Sequence, residues 1–368
     1  MVQKTELLYN LMSKEGKIMY FFNEKFKNLS LNLETVSLIG RINYYKGWLE
    51  VYEKEFPCIL ENLHKAIKIQ QTQDFLTMHK HLKITGKRLK ELFAYNKAPK
   101  TAIEDEILCC YDTLTLIHNK FKHISIQPSF ILEIHFQLFK YASSDSGTWR
   151  KKETVIPDNP QLKLPFFCCH QPVSSVKIPT YMEQLCREYN DLIEEGVIDP
   201  LILIAHFIFH FICISPFEYG NERIARLLLY LLLLKSKHSL VKYISLDKLI
   251  KKYKTEYFES LKKSSANWDF QEYNITFILH CLLNIIFEAY TLLDADYQMK
   301  KNKSDKIKVY IMKQEAPFTK EDIRAVFADV SQSTINKVFE CLQKENAIKL
   351  LSRGRNAKWI KNTTESIS

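Results

Sequence analysis

The chain has 368 residues, 46% hydrophobic and 12% aromatic, enough to bury a large core in about two domains and too apolar for a disordered polypeptide. Eight glycines and 11 prolines are too few for the turns of an all-β fold, so a mainly α chain with short loops is expected. Nine cysteines without a C-x-x-C pair argue against a disulfide framework or a zinc site. The net charge of +10 admits a polyanionic partner, or reflects only the lysine bias of an AT-rich genome.

Apolar positions at helical spacing run through 5–54, with Leu7, Leu8 and Leu11 and later Tyr44, Trp48 and Tyr52. Further helices are predicted over 59–93, 101–122 and 129–142. The pattern changes at SSDSGTWRKKETVIPDNP: Ser143 to Gly147 is a turn signal, TWRKKETVI alternates, and a short β-hairpin flap is predicted over 143–157. Helices resume at 178–196, 200–213, 221–235, 246–264 and 270–295. The one opening at 221 is apolar on nearly every face and belongs at the centre of the fold.

MKKNKSDK at 299–306 reads as a polar linker. A helix over 304–314 follows, then helices capped by Thr319 and by Ser331, then two short strands around Gly354, Arg355 and Asn356. That order is the winged helix-turn-helix pattern, placed at 304–363. The organisation expected is an N-terminal helical region at 1–100, a helical core at 101–298 and this C-terminal unit. The first residues hold no apolar signal core, and the longest apolar run, 201–217, contains His206, His210 and Pro216 and is shorter than the ~20 residues of a span. A cytoplasmic chain without a membrane partner is the expectation, with His206 and His210 as satisfied core histidines.

The polar cluster in CISPFEYGNERIARLLL, 213–229, needs an explanation because it opens the most apolar helix. Gly220 and Asn221 tolerate the left-handed backbone of an anion nest, and the helix N-terminus carries unpaired N–H groups. Arg223 and Arg226 share one face of the first two turns, where they oppose the helix dipole. Two readings stay open here. Either the arginines and the nest hold a phosphate, or both arginines pair with acids such as Glu218 or Glu222 and Asn221 is a cap.

SPFEYGNERIAR resembles the signature of the Fic family: His, any, Phe, any, Asp or Glu, Gly, Asn, Gly or Lys, Arg, any, any, Arg. Phe217, Gly220, Asn221, Arg223 and Arg226 match at the right spacing, and Pro216 is the usual occupant of its variable place. ILEIHFQLF with GTWRKKETVI resembles the family's helix and flap, with Gly147 and Arg150 in the usual places. VKIPTYMEQLCREYND and ISLDKLIKKYKTEYFESLKKSS resemble its flanking segments. The resemblance implies a Fic-type helical bundle with a flap and, as a frequent attachment, a C-terminal winged helix. It also implies descent from enzymes that move AMP from ATP onto a protein hydroxyl, with the target docking at the flap as an added strand.

The resemblance assigns the phosphates to Gly220, Asn221, Arg223 and Arg226, with ATP or another nucleotide as the ligand. Three departures fall in the same loop. Ser215 stands where the family has its histidine base, and losing a general base costs about 10²–10⁴-fold. Tyr219 stands where a carboxylate holds Mg²⁺, so the metal is in doubt, and Glu222 replaces a turn glycine. The family's inhibitory segment matches TVSLIG at 35–40 in Thr35 and Gly40, but Ile39 occupies the place of the glutamate that pairs with the second arginine.

A catalytically impaired protein that retains the phosphate grip is the leading expectation. The alternatives are a slow transferase with a replaced base, such as Glu218 or His210 acting from unusual geometry, and a regulator working through the winged helix. In that unit Gln332, Asn336 and Lys337 begin the recognition helix, and Arg353 and Arg355 line the wing with Lys358. The partners expected are a protein target at the flap, DNA at the winged helix, and a second copy of the chain.

Overall fold

The computed structural model describes residues 20–23, 26, 28–55, 57–77, 84–94, 97–141, 144–153, 173–352, 354 and 357–362. The helices in chain order are α1 (Leu33–Glu55), α2 (Pro57–Thr77), α3 (Gly86–Ala94), α4 (Ala102–Lys120), α5 (Pro128–Phe139) and α6 (Ile178–Glu195). There follow α7 (Pro200–Ile214), α8 (Asn221–Lys235), α9 (Leu246–Lys252), α10 (Lys254–Ser265), α11 (Thr276–Met312), α12 (Lys320–Val326) and α13 (Gln332–Lys344), then strands β1 (Ile348–Ser352) and β2 (Lys358–Lys361). The chain divides into two compact units, residues 1–49 with 65–289 and residues 50–64 with 290–368.

The first unit is built around α7 and α8. Every residue from Leu203 to Ile214, and from Ile224 to Leu234, is buried, the state of helices that are apolar on all faces. α6 packs on α7, while α4 and α5 pack on α8. The ends follow the local chemistry: Pro200 starts α7 behind Asp199, whose carboxylate accepts from the Leu201 N–H at 2.8 Å, and α6 stops at Gly196 with φ 66°.

His206 and His210 lie inside this core. His206 Nε2 is 2.7 Å from the Phe21 carbonyl oxygen, and Trp268 Nε1 donates to His210 Nδ1 at 2.9 Å. Burial pulls the pKa of His206 down to about 3, and that of His238 to about 3 as well, from an ordinary 6.5. Because the unfolded chain binds these protons more readily, the stabilisation is full above 6.5 and is lost as pH falls toward 3. Moving from about pH 7 to about pH 5 is expected to cost about 2 kcal/mol per histidine, read as a lower urea midpoint. His206→Gln is expected to remove about half of that drop, and a midpoint indifferent to pH in the parent protein contradicts it.

Several stretches differ from the sequence-based expectation, among them the helix expected over 59–93, which is divided into α2 and α3 with 84–85 outside both. The helix expected over 246–264 is interrupted at Tyr253, which sits at φ −100° and ψ 29° between α9 and α10. The supposed linker at 299–306 is helical, and α11 runs through it to Met312; the run contains neither Gly nor Pro to stop a helix. Of the flap expected at 143–157, residues 144–153 hold turns and bends without strand, and 143 and 154–157 lie outside the described residues. Thr276–Asp296 of α11 is also long and apolar enough to cross a membrane by length and composition. Ile278, Leu279, Leu282, Leu283 and Ile286 are buried in the first unit, so core packing accounts for that hydropathy.

In the second unit, Thr319 and Asp322 form a reciprocal capping box at the start of α12, and the Ser331 hydroxyl accepts from the Thr334 N–H to cap α13. β1 and β2 pair antiparallel, with Ile348 opposite Lys361 and Leu350 opposite Trp359, and Phe318 adds an antiparallel bridge to Trp359. Ile307, Ile311, Phe318, Ile323, Ile335, Phe339, Ile348 and Trp359 form its core.

Candidate functional site

The loop between α7 and α8 is closed by its own groups. Ser215 takes a left-handed conformation, φ 46°, its N–H donates to the Phe211 carbonyl at 3.0 Å, and Pro216 prevents the helix from continuing. The Ser215 hydroxyl donates to the Ile212 carbonyl at 2.6 Å. Asn221 uses both ends of its amide on one residue: Oδ1 accepts from the Phe217 N–H at 2.9 Å and Nδ2 donates to the Phe217 carbonyl at 2.8 Å. Gly220 precedes α8 at φ 84°, and a Cβ on it would stand 2.5 Å from Phe139 Cε2 and Cζ. The phenyl ring of α5 therefore packs against the turn that an anion nest needs open.

His135 joins this loop to the start of the flap. Its Nδ1 accepts from the Gly147 N–H at 2.9 Å, so its proton sits on Nε2, which faces the Tyr219 carbonyl oxygen at 3.2 Å. The imidazole stacks on Phe217, with centroids 3.8 Å apart and planes 9° from parallel. Arg150 works beside it: its N–H donates to the Pro216 carbonyl at 3.0 Å, and its Nε to the Ser215 carbonyl at 2.9 Å. Nη1 reaches the Lys152 carbonyl at 2.9 Å, and Nη2 the Val173 carbonyl. Burial holds the Arg150 pKa below its ordinary value, and the nearest carboxylate, that of Glu153, is 3.9 Å away and mostly exposed.

The two arginines of α8 diverge. Arg223 turns toward α4, with Nη1 3.0 Å from Glu106 Oε1 and its guanidinium 4.3 Å from the Phe139 ring centre. Arg226 turns inward, with Nε 2.6 Å from Asp247 Oδ1, Nη2 3.2 Å from the Phe75 carbonyl, and its guanidinium 4.5 Å from the Phe75 ring centre. The Tyr230 hydroxyl donates to the second Asp247 oxygen at 2.9 Å. Burial pushes the Asp247 pKa up, against the opposing pull of Arg226 and Tyr230. Of the two sequence readings, paired arginines describe this geometry, with Glu106 and Asp247 among their acids, while Glu218 meets Lys152 at 2.8 Å.

Tyr219, where the resemblance expects a carboxylate, sets its ring edge-on to Phe139 at 5.1 Å, and its buried hydroxyl has no hydrogen-bond partner among the described residues. Glu222 lies in the first turn of α8. Thr35, on α1, places Oγ1 3.4 Å from His280 Nδ1. A groove of about 1000 Å³ lies elsewhere in the first unit, lined among others by Glu34, Thr35, Glu256, Phe277, His280 and Glu288. Among the described residues, none of 215–226 and no lysine or arginine lines it, so it is ill-suited to a phosphate.

Ser215, Phe217, Gly220, Asn221, Gly147 and Arg150 thus come together, and Arg223 and Arg226 leave that loop on opposite errands. Gln332, Asn336 and Lys337 lie on α13 of the second unit, while Arg353 and Arg355 lie outside the described residues. Sequence reasoning missed His135, Phe139, Glu106 and Asp247. A signal for His135 was present: it falls in the stripe Ile131, Ile134, His135, Leu138 that α5 buries, where an imidazole needs polar partners. Asp247 reads in sequence only as an acid in a helix's first turn.

Residues 125–233 match the model of the "Fic/DOC family". No curated protein matches the chain. Among solved structures, a Fic domain containing signaling protein from Bacteroides thetaiotaomicron is similar at TM-score 0.55 and 19% identity, over 70% of this chain and 96% of that one. A Fic family protein from Desulfovibrio desulfuricans gives TM-score 0.53 and 14% identity, over 92% of this chain and 99% of that one. Fic-1 from C. elegans gives 0.51 and 16%, over 71% of each chain. Identities this low carry the fold, which is mainly helical and of the Fic type, and the family model carries the segment that holds the loop and its two helices. The chain therefore contains a Fic/DOC family domain, at residues 125–233.

Proposed function

We propose that this Fic domain no longer transfers AMP and serves as a fixed platform. The observation that supports this reading is the internal use of the polar side chains that the loop was expected to offer a nucleotide. The Ser215 hydroxyl is given to Ile212, the Asn221 amide to Phe217, Arg223 to Glu106 and Arg226 to Asp247. A serine in that position cannot accept a proton near neutrality, so no base stands ready for a target hydroxyl. Mg²⁺ and ATP do not fit the residues present. Tyr219 is a neutral phenol where a hard cation needs carboxylate oxygen, and a triphosphate would have to displace Asp247, Glu106 and the Phe139 ring.

The test is calorimetry with Mg²⁺ and ATP on the full chain, beside a transfer assay with labelled ATP in lysate. No heat at millimolar ATP and no label on any protein are expected, since about 1 mM marks only −4.1 kcal/mol of binding. Label transferred by the parent protein above that of an Arg226→Ala control sinks the proposal. Micromolar binding that Arg223→Ala abolishes would instead restore the phosphate grip.

A further inference from the structure

The charge of the chain is unevenly placed. Residues 303–362 carry 13 Lys and Arg against 7 Asp and Glu, a net +6 out of the +10 of the whole sequence. Several of those acids are engaged inside the module. Asp322 accepts from the Thr319 N–H and hydroxyl at 2.8 Å each, Glu345 meets Lys308 at 3.0 Å, and Asp329 meets Lys303 at 3.7 Å. The positive excess is therefore left to the surface.

Two of the cations organise one face. Lys320 Nζ is 2.9 Å from Asn336 Oδ1, and Arg324 Nη1 is 3.0 Å from Gln332 Oε1, so α12 reaches across to the first two turns of α13. Lysine and arginine have no acceptor, so the amide oxygens must face them, and this fixes which end of each amide remains. The amide N–H groups, the remaining ammonium and guanidinium hydrogens and the exposed Lys337 make the face rich in donors. Its natural complement is a surface of acceptors, as phosphate oxygens and the N7 and O6 edges of purines are.

We propose that this face, formed by α12 and the N-terminal half of α13, binds duplex DNA, with α13 in the major groove and the β1–β2 hairpin, carrying exposed Lys349 and Lys358, against the backbone. A helix fits the wide major groove of B-form DNA, whereas the deep, narrow groove of duplex RNA excludes it. The N-terminus of α13 adds its dipole toward phosphate. Glu340, exposed one turn beyond Asn336, is the acid that shares the outer side of α13 with these donors, and near phosphate it opposes binding. This inference is independent of the state of the Fic domain, since no nucleotide enters it.

The experiment is fluorescence anisotropy of a labelled mixed-sequence DNA duplex titrated with the full chain across a range of salt. Binding is expected at low salt, weakening linearly in log[salt]. Arg324→Gln with Lys337→Gln is expected to lower affinity about tenfold or more and to shallow the salt slope by about 1–2. Both side chains are exposed, so an unchanged melting curve confirms that the variant folds. Glu340→Gln is expected to tighten binding. The proposal is overturned if DNA does not bind at low salt, if the double variant binds as the parent does, or if an RNA duplex binds as tightly as DNA.

Discussion

Replacing Asp247 by alanine is expected to cost the folded state about 3–5 kcal/mol, because the Arg226 guanidinium is left buried without its counter-charge. The Asp247 side chain is 0% exposed and that of Arg226 is 4% exposed, so water cannot take over the missing role. The loss also reaches further than one pair. The Tyr230 hydroxyl, which donates to Asp247 Oδ2, also accepts from the Leu246 N–H at 3.1 Å, so the start of α9 is tied to α8 through the same carboxylate. Asp247→Asn keeps one acceptor oxygen for Arg226 and turns an amide N–H toward the Tyr230 hydroxyl, which can accept, so it is expected to cost less than alanine does. The sharper comparison is Arg226→Met with Asp247→Leu, which removes both charges together and is expected to be near neutral or stabilising. Urea midpoints of the parent, Arg226→Met, Asp247→Leu and the double variant give the coupling energy. A cost below about 1 kcal/mol for Asp247→Ala would show that the pair does not hold the core in this way.

That pair also shows where the sequence was legible and where it was not. The order and approximate bounds of the helices could be read because periodicity, prolines and caps act locally: Pro128, Pro200, Thr101, Thr319 and Ser331 each mark a helix start. The spacing from Arg223 to Arg226 was equally local, since about one turn of helix sets it. The partners of those residues were not local. Glu106 lies 117 residues from Arg223 and Asp247 lies 21 from Arg226, and neither separation leaves a trace in periodicity. Glu218 was expected to pair with the arginines because it is near in sequence, but it precedes α8 and meets Lys152 instead. The linker at 299–306 failed for a related reason: polarity marks exposure, and an exposed helix is as polar as a loop.

The same contrast explains Ile39. The segment at 35–40 lacks the acid that the resemblance places opposite the second arginine, and from sequence the counter-charge looks lost. Arg226 has a carboxylate all the same, supplied by α9. A buried guanidinium cannot remain unpaired at acceptable cost, so some acid must meet it wherever the fold allows. Physical necessity predicts that a partner exists, while only the tertiary structure says which.

Gly220→Ala is expected to destabilise the first unit by about 2–5 kcal/mol, from two separable causes. A residue with a side chain costs about 1–2 kcal/mol in the left-handed conformation that Gly220 holds at φ 84°. The new methyl also meets the Phe139 ring at 2.5 Å, and overpacking of this kind costs about 1–3 kcal/mol. Phe139→Leu separates them, since a smaller side chain makes room for the methyl while leaving the backbone strain in place. Phe139→Leu is destabilising alone, yet in the Gly220→Ala background it is expected to cost less, giving a coupling of about 1 kcal/mol or more between the two positions. Strictly additive costs would mean that the ring and the turn are not in contact. The result bears directly on the loop's chemistry. Phe139 packs against this turn where a Cβ of residue 220 would project, and Arg223, with its guanidinium 4.3 Å from the centre of that ring, contacts the same phenylalanine. If the coupling is found, one aromatic side chain both closes the cradle and positions the arginine that was expected to serve it.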